Sequence, residues 1–123
     1  MNEESTELVV EIAKEFMTLL QESGREWSKG FFRFKSDDDN YGANASYVVG
    51  ENVSLISAMK NREFYNKMNE LGRKLVNSFG KTRGVFLVIA DSSFDYEIKF
   101  EWDDLSKWEI TKLDQNTGIP AGI

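Results

Sequence analysis

The sequence predicts an α+β domain, a mostly antiparallel five-stranded sheet with two helices on one face, in the order α-β-β-β-α-β-β. Three observations predict it. Two segments place apolar residues at helical spacing, five carry the aromatic and β-branched residues of strands, and the connections between neighbouring strands are short turn signals. With 123 residues the chain fits a single domain spanning 1–123, because one core of this size buries roughly two-thirds of the unfolded surface.

The first helix is expected over Ser5 to Ser23, where Val9, Ile12, Ala13, Phe16, Leu19 and Leu20 form one apolar stripe between Glu11, Lys14, Glu15 and Gln21. Ser5 suits the N-cap, and Gly24 suits the left-handed residue that ends a helix. From Trp27 to Ala58 the period changes to two. Phe31-Phe32-Arg33-Phe34, Ala45 to Val49 and Val53 to Ile56 read as three strands joined at Asp37 to Gly42 and at Gly50-Glu51-Asn52.

The second helix is expected from about Asn61 to Phe79, with Phe64, Met68, Leu71, Leu75 and Phe79 as its stripe and Gly80 as its stop. Gly72 beside that stripe signals a close approach to the sheet or to the other helix. Val85 to Ala90 is a continuous apolar run, the mark of a buried central strand. After the turn Asp91-Ser92-Ser93, the residues Phe94, Tyr96, Ile98, Phe100 and Trp102 alternate with Asp95, Glu97, Lys99, Glu101 and Asp103, so one face should be buried and the other wet. Leu105, Trp108, Ile110 and Leu113 suggest a short helix or turn packed on the core, and the polar tail from about 114 is expected to fray.

Composition narrows the chemistry. Histidine and cysteine are both absent, which excludes zinc sites, His-based triads, disulfides and thiolate chemistry. No apolar run approaches the roughly 18 residues needed to span a bilayer, and the acidic, polar start is unlike a secretory signal, so a cytoplasmic location is expected. The formal charge of -6 disfavours nucleic acid and acidic membranes as partners and favours a basic protein.

The motifs that could carry chemistry fail on inspection. Asp95 with Glu97, and Glu101 with Asp103, stand about 7 Å apart on a strand, near the carboxylate separation of inverting glycosidases, but an alternating acidic row is also what a solvated strand face looks like. Asp37, Asp39 and Gly42 imitate a calcium loop, yet Tyr41 takes a ligand position and Val48 stands where the bidentate glutamate belongs. Lys29-Gly30-Phe31 opens like an RNA-recognition signature, after which Phe32 and Arg33 break it. No phosphate loop or dinucleotide fingerprint is present, so no cofactor is expected and catalysis is not.

An amphipathic first helix, Trp27 at the first strand, and the phrase Phe94-Asp95-Tyr96-Glu97-Ile98-Lys99-Phe100-Glu101-Trp102-Asp103-Asp104-Leu105 together resemble the YezG-like bacterial immunity proteins. The resemblance covers about Ser5 to Trp108, with Trp102 where that family usually has tyrosine. It implies an antitoxin that neutralises the C-terminal domain of a cognate toxin, often a nuclease with a basic cleft, by one-to-one complex formation, and a chain that is monomeric when free. Charge alone selects the expected contact set: Glu97, Glu101, Asp103 and Asp104 on and after the last strand, with the acidic turn Asp37, Asp38 and Asp39. The alternatives are a small carboxylate-dependent hydrolase and an adaptor that binds peptides along its sheet edge.

Overall fold

Asn2, not Ser5, starts the first helix. The computed structural model describes all residues, Met1–Ile123, and α1 runs over Glu3–Glu22. The Asn2 side chain accepts the Ser5 N–H at 2.8 Å, while Glu3 and Glu4 lie at the positive end of the helix. Ser5 is buried instead, its hydroxyl 2.6 Å from that of Ser78, which ties the start of α1 to the end of the second helix. Gly24 closes α1 with φ +71°.

The remaining elements are β1 (Lys29–Asp37), β2 (Asn40–Val49), β3 (Asn52–Leu55), α2 (Arg62–Ser78), β4 (Arg83–Asp91) and β5 (Tyr96–Glu101). The expected α+β architecture and element order are those found. Strand order in the sheet is β3-β2-β1-β4-β5, and every neighbouring pair is antiparallel. β1 to β3 form a meander, and the passage through α2 returns the chain to the other side of β1.

Both helices pack on one face of the sheet, over Phe32, Phe34, Phe86 and Val88. α2 approaches so closely that a Cβ on Gly72 would stand 2.6 Å from the Phe34 ring. A Gly72→Ala change should therefore lower stability by roughly 1–2 kcal/mol in urea unfolding, although alanine raises helix propensity by about 1 kcal/mol, because overpacking against a rigid ring outweighs it. A rise in stability would mean that α2 can slide on the sheet.

The opposite face is covered as well. Phe31, Val85 and Leu87 pack there with Trp108 and Ile110, and Leu105 and Ile119 flank them. Where the sequence suggested a fraying tail, the chain is docked as a strap. Ser46 donates its hydroxyl proton to the Gly118 carbonyl at 2.7 Å, Asn44 donates its amide to the Ile110 carbonyl at 2.8 Å, and Gly118 and Pro120 are buried. The reason is burial: β1 and β4 are apolar on both faces, and the residues after β5 supply the cover that the helices cannot reach. A buried arginine holds this strap. Arg33 donates from Nε to the Lys107 carbonyl at 2.8 Å and from Nη2 to the Leu105 carbonyl at 2.7 Å.

Candidate partner-binding surface

Strand register sets where the predicted carboxylates stand. Glu101 is opposite Val85, which is opposite Lys35, so Glu101, Asp103 and Asp104 share one end of the sheet with the β1–β2 turn and its Asp37, Asp38 and Asp39. Glu97 is opposite Ile89, four residues back and about 13 Å along the strand.

Several of these groups are engaged within their own chain. Glu101 is a turn-builder: its Oε2 accepts the N–H groups of Asp103 and Asp104, both at 3.1 Å, and its Oε1 meets the Lys107 ammonium at 3.3 Å. The Asp104 and Asp103 N–H groups and then Lys107 hold the Glu101 carboxyl below the usual carboxylate range. Asp104 accepts the Ser106 hydroxyl at 2.6 Å and its N–H at 3.0 Å, which lowers its pKa too. Asp37 pairs with Arg83 at 3.0 Å, and Asp38 accepts from the Thr82 hydroxyl at 2.8 Å. Lys81 lies over the Trp102 ring. Cations are thus interleaved with the carboxylates at this end. Asp39, Asp103 and Glu97 are exposed and make no side-chain bond.

The net charge resides elsewhere. α1 carries six glutamates and one lysine, a net of -5 out of the chain's -6, which leaves -1 for all other residues. Glu3, Glu7 and Glu11 recur at a spacing of four and are exposed, so they form one acidic stripe on the outer face of the helix. Glu15 turns instead toward α2 and pairs with Lys67 at 2.6 Å.

Beside the second half of α1 lie exposed aromatics. The alternating pattern of 94–102 predicts one buried face, and only part of it is buried. Phe79 at the end of α2 covers Phe100 and Trp102, with ring centroids at 5.0 and 5.1 Å. Phe94 stays 50% exposed and Tyr96 38%, because α1 runs alongside them without covering them. Together with Val10, Lys14 and Met17 of α1 they line a shallow groove of about 310 Å³.

Phe94 is also strained. The Asp91 N–H donates to the Asp95 carbonyl, and the Phe94 N–H donates to the Asp91 carbonyl, both at 2.9 Å, which describes a three-residue hairpin loop closed by a bulge. Its left-handed position, usually glycine, is held by Phe94 at φ +65°. The ring meets the buried Trp27 edge-on at 6.3 Å. The contact with Trp27 offsets the cost of the left-handed position and fixes the other half of the ring in water beside α1.

The largest cavity, about 480 Å³, opens between the end of α1 and β3, where Arg25 and Lys60 face a single carboxylate, Glu22. No helix is long and apolar enough to cross a membrane. No protein-family model matches the chain, and no curated protein matches it in sequence.

Proposed function

We propose that this chain is a cytoplasmic immunity protein that binds the basic C-terminal domain of a cognate bacterial toxin, of nuclease type, one-to-one and neutralises it by occupancy. The observation that carries the reading is the placement of -5 of the net charge on α1, next to the half-exposed pair Phe94 and Tyr96. Concentrated charge steers a cationic partner into encounter, and aromatic anchors in a groove supply the tightness. The free carboxylates of Glu97, on the opposite face of β5 from Tyr96, and of Asp39 and Asp103 at the other end of the sheet add exposed negative charge around this surface. The likeness of the 94–105 phrase to YezG-like immunity proteins points the same way.

The test is co-expression with the toxin domain encoded beside this chain. Growth should be restored when the two proteins are present in roughly equal amounts, and titration calorimetry should give one site per toxin. Rescue by trace amounts would indicate turnover and overturn the occupancy mechanism.

A further inference from the structure

Resting on the immunity reading, we infer that the open edge of β5 takes up an extended, basic strand of the toxin, which extends the sheet by one strand. β5 pairs only with β4, and no other backbone hydrogen bond in the protein involves Tyr96–Glu101. The closing bond from the Asp91 N–H to the Asp95 carbonyl fixes the alternation of the ladder. Ile89 with Glu97, Leu87 with Lys99 and Val85 with Glu101 are then the bonded pairs, and the N–H and C=O groups of Tyr96, Ile98 and Phe100 point away from the sheet.

An edge of this kind is a template for another strand, and proteins blunt such edges with proline, bulges, brevity or charged side chains; β5 carries charge only on the face away from the helices, at Glu97, Lys99 and Glu101. Tyr96–Glu101 contains no proline and pairs with β4 in unbroken register. The other edge, β3, has only four residues, against six in β5. Main-chain bonds would give the added strand its affinity, and alternate side chains would give it specificity by entering the groove of Val10, Met17, Phe94 and Tyr96.

Charge selects the occupant. α1 packs over β1 and β4 on the helix face, so the helix that carries -5 stands on the side where a strand would join β5, with Val10, Lys14 and Met17 on the flank that faces it. A second copy of this chain would bring a second helix of net -5 onto the same face, which like-charge repulsion opposes. A strand rich in lysine and arginine completes both the ladder and the charge.

The experiment is amide hydrogen exchange, followed by NMR, on the full chain alone and with the toxin domain encoded beside it. In a one-to-one complex the Tyr96, Ile98 and Phe100 amides should exchange on the order of 100-fold more slowly than in the free protein. Tyr96→Pro, which removes an outward N–H without breaking the β4 ladder, should weaken binding about 30-fold, and Tyr96→Phe less than about threefold. A complex that forms while the three amides exchange at their free rates overturns the edge docking and leaves the immunity reading standing. Failure to form any complex overturns both. Slowed exchange in the isolated protein together with a doubled mass would make a second copy the occupant, and would also overturn the inference.

Discussion

Replacing Arg33 with alanine should destabilise the domain by roughly 3–4 kcal/mol in urea unfolding and make the strap after β5 the first segment cut by protease. Arg33 is 8% exposed, and its guanidinium bonds two carbonyls of the strap, those of Leu105 and Lys107. Hydrogen bonds from a charged donor contribute about 1.5–3 kcal/mol each, and their loss leaves two carbonyls against an apolar sheet face. Burial lowers the Arg33 pKa while Glu109 and Asp104 raise it, and a guanidinium so far above neutrality stays protonated. Arg33→Lys should recover only part of the loss, because one ammonium cannot reproduce the fixed fork that reaches carbonyls two residues apart. A loss under about 1 kcal/mol for the alanine variant would show that Trp108 and Ile110 hold the strap by apolar contact alone.

Arg33 also marks where the sequence stops being legible. The strands and helices follow from period and from the turn residues between them, and Val85 to Ala90 declares a strand buried on both faces. That run, and Phe31 to Phe34 beside it, require cover on the face away from the helices, but the strap that supplies it has no period of its own. Its polar, glycine- and proline-containing residues read as a fraying end because it is held by single long-range bonds, from Asn44 to Ile110 and from Ser46 to Gly118. In an aromatic strand a lone arginine reads as a wet rung; it is buried because a carbonyl-lined strap lies above it.

Other misreadings are local. Asn2 and Ser5 are both good caps, and the choice falls to Asn2 because Ser5 meets Ser78, a contact 73 residues away in sequence. Phe94 continues the alternation of β5 in the sequence, yet the hairpin loop needs that residue for its left-handed turn, so the strand begins at Tyr96. Of the carboxylates chosen by charge, Glu97 and Glu101 stand on β5, Asp103 and Asp104 follow it and Asp37 to Asp39 form the β1–β2 turn, but the short-range bonds that bind Glu101 and Asp104 into the 101–106 turn do not show in a charge count. The acidic stripe of α1, by contrast, is legible from the sequence once charge is counted helix by helix.

That stripe carries the second large expectation. Changing Glu3, Glu7 and Glu11 together to lysine should slow association with a basic toxin domain by about 100-fold at low ionic strength and leave the dissociation rate within about threefold. Each reversal adds two charges, so the three take the net charge from -6 to zero and abolish the field that α1 projects. The side chains are exposed and outside the core, so the fold should survive, with a cost of about 1 kcal/mol at most from placing Lys near the positive start of the helix. The difference in association rate should shrink strongly near 1 M salt, where the screening length falls to about 3 Å. Reversing Asp39 and Asp103 should slow association only about threefold, because Lys81, Arg83 and Lys107 already offset the field at that end of the sheet. An association rate unmoved by the triple change, measured by stopped flow with the fold confirmed by circular dichroism, would remove α1 from the encounter. Recognition would then rest on the short-range contacts of Phe94, Tyr96 and the β5 edge.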